Sequence, residues 1–433
     1  MAKGAAGRFQ TFLGFIGLVA LGVTASIVTG VNPMEYVEDA ASTALERIQG
    51  NLATPDPEWS ERVDGPAVAA TVTTSHVVVV LNGAVEVRER SDGSPAWYRM
   101  VDWATPAGEV VVAGRSSGGG FEVLDSASGD VRWADSNASD VWPYQDMVLS
   151  TTCRSDGSGC VMRARSTEDG AEQWRLKLSG APQRLAGHVE FDLAVERAGL
   201  LRPDYPGAAP RLLGAVIDGQ VTVVDTRSGN VSGTLPEDRN TRVTVVGDRV
   251  LGVTARPTAN GGCRHTVRAW MPSGVEAWRR SGYDFGTVSG SGCEPRADPL
   301  SAGGVVAAVG PKGRPVLLRA RDGHPLWTGE RRERVLATDG QVAISRAPDG
   351  RQLVVNSAET GAELWRRAAS SDVEVMLTDT AVLIKNSSSG TITALASDTG
   401  SLLQRWESQA AVVGADDAGV VLRNGRTIGY AAW

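Results

Sequence analysis

Lysine is nearly absent from this chain. Its 433 residues carry 43 basic side chains, yet lysine occurs only at Lys3, Lys177, Lys312 and Lys385, so arginine supplies the rest. Against 50 acidic groups the formal charge is −7. That leaves no surplus of cations to neutralise phosphates, and nucleic acid is excluded as the main partner. The arginine bias reads as genome composition rather than chemistry. Histidine is also scarce: His76, His188, His265 and His324 are scattered without HxxxH spacing. The four cysteines form no CxxC pair, so no metal site is expected. No P-loop and no GxGxxG after a strand occur, which removes support for nucleotide binding. Gly114-Arg115-Ser116-Ser117-Gly118 fits the GxSxG nucleophile pattern. It lies between two apolar runs and continues into Gly119-Gly120, as a hairpin does and a strand-to-helix elbow does not. Neither catalytic residues nor a cofactor are expected.

One long uncharged run stands near the amino end. Phe9 to Val31 is a 23-residue stretch without charge, long enough for a helix to cross a bilayer. Lys3 and Arg8 precede it and Glu35, Glu38 and Asp39 follow, which sets residues 1–8 in the cytoplasm and the bulk of the chain outside. A cleaved signal peptide ending near Val23-Thr24-Ala25 is the competing reading. The retained anchor is preferred because the apolar run continues past that point. Residues 32–56 follow as a juxtamembrane helix and linker. Asn32 can cap it, Pro33 suits its first turn, and Val37, Ala41, Ala44, Leu45 and Ile48 recur at helical spacing. Thr54-Pro55-Asp56-Pro57 ends it and opens an extracytoplasmic domain over residues 57–433. Four cysteines in an exported domain suggest two disulfides. Of three connectivities, nearest-neighbour pairing is expected: Cys153 with Cys160, and Cys263 with Cys293.

What the domain has in abundance is a repeat. Eight times an apolar run ends in Asp, Ser or Thr followed by Gly: Gly93, Gly129, Gly170, Gly229, Gly274, Gly323, Gly361 and Gly400, spaced by 36, 41, 59, 45, 49, 38 and 39 residues. Four residues later stands Trp97, Trp133, Trp174, Trp278, Trp327 or Trp365, while Gly233 and Gln404 take that place in the other two units. Two further apolar runs precede each turn, such as His76–Leu81 and Phe121–Asp125, joined by hairpin formers like Asn82-Gly83. A period of about 40–45 residues with four strands is that of a propeller blade. The tryptophan is expected on the outer strand, packed between blades, with on the order of 200 Å² of ring buried. At the ends, Glu58–Val63 reads as a lone outer strand, and the last residues offer three strands lacking a fourth. Pairing them closes the ring and removes free edges.

The turn and tryptophan in Asp125-Ser126-Ala127-Ser128-Gly129-Asp130-Val131-Arg132-Trp133 and Glu359-Thr360-Gly361-Ala362-Glu363-Leu364-Trp365 resemble the repeat of the pyrroloquinoline-quinone-like propellers. That family includes quinoprotein dehydrogenases and the scaffold subunit of the bacterial outer-membrane barrel-assembly machine. The resemblance covers about residues 57–433 and implies an all-β propeller of four-stranded blades. Members usually have eight blades, so eight are expected although the raw count is nine. The 59-residue interval before Gly229 is the candidate irregular unit. The dehydrogenase branch would carry adjacent cysteines over a quinone, calcium ligands and a catalytic aspartate. Cys153 and Cys160 are not adjacent, no CxxCH haem site is present, and Asp416-Asp417 reads as a solvated turn. The chain therefore looks closer to the scaffold-like members. The resemblance implies a propeller that binds proteins; with the single-pass anchor, which departs from the lipoprotein scaffold subunit, the expected role is a protein-interaction scaffold or ligand-recognition module of the bacterial cell envelope working with a protein partner. A quinoprotein dehydrogenase, and an envelope sensor acting through a membrane partner, are the alternatives. Trp142 and Tyr144, in a loop-like Trp-Pro-Tyr, are the candidate partner contacts; filling an interblade seam is the competing role for such tryptophans.

Overall fold

The computed structural model describes residues 57–114, 119–155, 158–187, 207–288 and 292–433. The expected helices at 9–31 and 32–56 lie outside these residues. Among the described residues every regular element is a strand, and no helix is long and apolar enough to cross a membrane.

The strands form nine sheets of four, each an antiparallel meander. Blades one to eight span residues 67–100, 103–135, 140–180, 184–236, 241–281, 301–328, 334–368 and 373–407. The ninth combines three strands of residues 411–432 with Trp59–Arg62, whose Trp59 pairs with Tyr430 and Arg62 with Thr427. Closure by the two chain ends is thus as expected, and the inner strands Ala67–Val72 and Ala411–Ala415 lie side by side. The expectation of eight blades is corrected to nine. The interval before Gly229 is no irregular unit either: it holds a complete blade, and its extra length lies between Ala186 and Leu212, two strands that remain in one sheet.

Hydrophobic clusters sit between the blades, one for each successive pair around the ring. This explains the unbroken apolar runs. Side chains alternate across a strand, so in His76–Leu81 the residues Val77 and Val79 enter the seam with blade nine, and Val78 enters the seam with blade two. Both faces of each middle strand are covered, as in a doubly buried sheet. Outer strands are half-exposed and alternate, as in Pro95–Met100.

The repeated turn has a local cause and a distant one. Locally, the glycines take φ values of 67° to 73° at Gly93, Gly129, Gly170, Gly229, Gly323, Gly361 and Gly400, the left-handed region that glycine alone enters at no steric cost. The Asp, Ser or Thr before each glycine turns its oxygen to the N–H two residues on: Asp92 accepts from Ser94, Asp169 from Ala171, Thr360 from Ala362. At a distance, the tryptophan of one blade lies on the glycine of the next. A Cβ on Gly129, Gly170, Gly229, Gly323 or Gly400 would come within 2.8 Å of the ring of Trp97, Trp133, Trp174, Trp278 or Trp365. The indole N–H of each then donates to the carbonyl three residues before that glycine, as Trp174 does to Thr226 at 2.6 Å and Trp97 to Ser126 at 2.9 Å. Trp59 does the same across the closing seam, to Arg90 at 2.8 Å beside Gly93.

Candidate functional site

In every blade the hairpin between the second and third strands lies at the end where the first strand begins and the outer strand stops. In blade one that end holds Ala67, Leu81, Ala84 and Met100. In blade three it holds Asp140, Cys160 and Gly180. The turn glycines lie at the opposite end, where the chain also enters the propeller at Trp59. The wheel therefore has a hairpin face and a turn face.

Both disulfides form with the expected pairing, Cys153–Cys160 and Cys263–Cys293, and no cysteine is free. The first closes the hairpin of blade three. The second ties the hairpin of blade five to the connection leading to blade six. Each lies on the hairpin face.

Two clefts reach that same face at equivalent positions, and the second extends along blade seven to Asn356 and Glu363 near the turn end. Each lies between the connection leaving one outer strand and the hairpin of the next blade. One, of about 330 Å³, joins blades two and three beside Cys153. Arg165 there reaches the buried Asp135 at 3.3 Å and stacks over Trp133 at 5.7 Å. Arg163 donates to Thr152 at 3.1 Å. The other, of about 390 Å³, joins blades six and seven. Glu330, Glu333, Asp349 and Glu363 line it with a single cation, Arg366, leaving three negative charges in excess.

The second cleft is built closely. Glu333 is 9% exposed; one oxygen accepts from the buried Ser345 hydroxyl and the other from the Glu330 N–H at 2.7 Å. Glu363 and Arg366 form a two-pronged pair at 2.7 and 2.6 Å. That pair holds the Glu363 carboxyl below its ordinary range and raises Arg366, which Glu330 and Glu333 raise further. Asn356 lines the cleft at 3% exposure, and its side-chain nitrogen has no acceptor. Trp327 is a repeat tryptophan, but its ring is diverted. It lies over Gly329, where a Cβ would strike both the ring and Glu333, and the next turn glycine, Gly361, meets the Leu326 carbonyl instead of the ring. Trp327 thereby walls the cleft, and among the described residues its indole nitrogen makes no bond of the kind its counterparts make.

The six repeat tryptophans occupy the expected outer strands. Tyr144, a candidate partner contact, takes the competing place in an interblade seam. It is 3% exposed in the cluster between blades three and four, where Trp142 packs half-buried. The reason is register: Trp142-Pro143 is the end of a first strand, and Tyr144 closes the following turn with Met147 at 2.8 Å. Asp416 is not a simple solvated turn. It pairs with Arg90 at 3.2 Å, and Arg90 also bonds the Tyr430 hydroxyl across the closing seam. His76 and His265 are buried in different blades, His188 lies outside the described residues, and His324 is exposed. Arg115–Gly118 lie outside them as well, and the strands on either side, Val110–Gly114 and Phe121–Asp125, pair as a hairpin. Sequence reasoning missed the cleft, although Glu330 and Glu333 stand in a connection directly after a repeat tryptophan.

The residues do not fit a bound quinone over calcium. The disulfides join cysteines 7 and 30 positions apart, and among the described residues no three His, Cys, Asp or Glu are placed to hold a metal ion.

The repeat is similar to that of the pyrroloquinoline-quinone-like propellers. Residues 263–428 match the family model described as outer membrane protein assembly factor BamB. No curated protein matches the sequence. Among solved structures, BamB from Moraxella catarrhalis is 16% identical over 86% of this chain and 98% of its own, with a TM-score of 0.41. The computationally designed Ika8 protein is 16% identical over 88% and 100%, with a TM-score of 0.43. The quinohemoprotein alcohol dehydrogenase of Comamonas testosteroni is 12% identical over 87% and 76%, with a TM-score of 0.40. At such values these likenesses say nothing of activity.

Proposed function

We propose that this protein is an extracytoplasmic recognition scaffold of the bacterial cell envelope, anchored through residues 9–31 with residues 1–8 inside. The observation that carries the reading is the concentration of both disulfides and both clefts on the hairpin face. Disulfides persist in oxidising compartments, and here each stiffens a loop on the face that offers concave surface. A rigid wheel that presents loops on one side suits binding. The chain enters the wheel at Trp59 on the opposite face. The description of the matching family model, an assembly factor, agrees with a role in bringing proteins together.

Cross-linking in native membranes, followed by identification of the joined chains, tests this. A partner in fixed stoichiometry, linked through positions on the hairpin face, is the expected result. Free thiols at all four cysteines in intact cells, labelled without reductant, would overturn the placement. A wheel that stays alone while retaining a small redox molecule would overturn the scaffold.

A further inference from the structure

Seven seams carry a tryptophan at the repeat register of the preceding outer strand, Trp59 included, and in six of them the ring is spent on the next turn. The seam between blades six and seven departs from this. Trp327 leaves the turn and faces a cleft whose other walls are acidic. Arg366 is the single cation lining the cleft, and its guanidinium is already engaged by Glu363. Carboxylates held together against an aromatic wall favour a cation, because the ring face is negative and the low-dielectric wall strengthens the charge attraction. The described residues offer no cluster able to ligate a metal ion, so an organic cation is the fitting occupant. The buried Asn356 amide adds a second requirement. Its unmet N–H donors call for an acceptor close to that cation.

We propose that this cleft binds an arginine or lysine side chain of a partner polypeptide, with the cation between Trp327 and the carboxylates of Glu330 and Asp349. The adjoining backbone carbonyl meets the Asn356 amide after a small turn of that side chain. A peptide supplies both features at the needed closeness, a cation on a flexible stem and a carbonyl at its root. The volume of about 390 Å³ accommodates one long side chain with its backbone. Glu333 acts from below: its oxygens are fixed by Ser345 and the Glu330 N–H, so its charge stays in place while the cation enters. The inference rests on the scaffold reading and names the chemistry of one contact within it.

Full-length protein in detergent can be titrated with a blocked Gly-Ala-Arg-Ala-Gly peptide and with its citrulline counterpart, which has the same shape without the charge. Saturation-transfer NMR reads both. The arginine peptide is expected to bind, with affinity falling as salt rises, and the citrulline peptide to bind at least about tenfold more weakly. Glu330→Gln with Asp349→Asn, both surface changes, should lower the affinity about tenfold, and Trp327→Leu several-fold at unchanged charge. Equal binding of the two peptides, no binding of the arginine peptide, or full binding by E330Q/D349N would overturn the proposal. Cross-linking of the same double variant separates the two readings. A partner recovered from membranes without peptide binding removes this contact and leaves the scaffold. Peptide binding without any envelope partner does the reverse.

Discussion

The seam between blades three and four and the seam between blades four and five are built on different plans. In the first, Trp174 is 7% exposed, lies on Gly229 and bonds Thr226 at 2.6 Å. In the second, the tryptophan position holds Gly233, and a Cβ there would run into the Pro272 carbonyl of the next turn. The two backbones approach so closely that no ring fits between them, and the turn glycine of blade five, Gly274, has no neighbour to receive one. Other groups replace it. Trp270, on the third strand of blade five, packs half-buried on the shared cluster from the far side and lies over Gly252. Towards the hairpin face, Arg184 binds Glu237 at 2.7 Å and the Val243 carbonyl at 2.7 Å, while Arg242 binds Asp298 at 2.6 Å. The lesson is that the repeat fixes where blades meet, while the means of joining can be exchanged.

Removing the tryptophan should break this contrast most strongly. Trp174→Ala empties a well-packed seam and is expected to cost about 3–5 kcal/mol, whereas the half-buried Trp270→Ala should cost about 2 kcal/mol. Urea unfolding followed by the fluorescence of the remaining tryptophans measures both. Equal losses would show that the two rings seal their seams alike.

The substitute joint can be tested next. Arg184 has a side chain only 10% exposed and is shared by two acidic partners, Glu237 and Asp298. Its removal leaves the part-buried Glu237 without its cation, so Arg184→Ala should cost about 2 kcal/mol. Arg279, whose pair with Glu276 is exposed on the outer strand of blade five, should leave the midpoint almost unchanged when replaced by alanine. Similar midpoints for the two variants would sink the idea that ions hold this seam.

A gentler probe is a single methyl group. Gly229→Ala adds a left-handed penalty to a collision with the Trp174 ring, about 2–4 kcal/mol together. Gly274→Ala meets open space and should cost only the backbone share, about 1–2 kcal/mol. A Gly274 variant as damaged as the Gly229 variant would mean that the turn of blade five touches something equivalent to a ring.

These residues also show why only part of the molecule is legible in its sequence. The Gly and Trp four apart are visible because they share one unit, and that spacing is a local consequence of turn and strand. The contact they serve joins different units, so the sequence shows the partners without showing who meets whom. Trp59 was readable as a strand residue but not as the seventh tryptophan of the series, because its own turn is replaced by the break between chain ends. Opposite it, Trp433 packs against Trp406 at 6.2 Å where the missing turn would lie. The disulfides were legible since short spacings leave few sensible pairings. The cleft was not, since Trp327, Asp349 and Asn356 belong to different strands and loops of two blades. The repeat count indicates nine blades, and only the resemblance to eight-bladed relatives argues for eight.

Protons should distinguish the seams least, and with opposite sign. Asp125, in the turn that receives Trp97, is held below the ordinary aspartate range, first by its bond to Arg132 and then by the N–H groups of Ser128 and Ala127. Its stabilisation is fully present above the unfolded value and is lost as pH falls through the lowered folded one. Asp416, at the closing seam, is pushed upward because burial outweighs the nearby Arg90. Its contribution is present below the unfolded value and is lost as pH rises through the raised folded one. Urea midpoints taken from pH 3 to pH 7 should therefore respond differently to two substitutions. Asp125→Asn should flatten the acid side of the profile, where the native turn loses its charge. Asp416→Asn should flatten a fall above the ordinary aspartate range, where the native seam is forced to ionise. If Asp416→Asn instead steepened that upper limb, the Arg90 ion pair would outweigh burial, and the closing seam would be held by charge as the seam between blades four and five is.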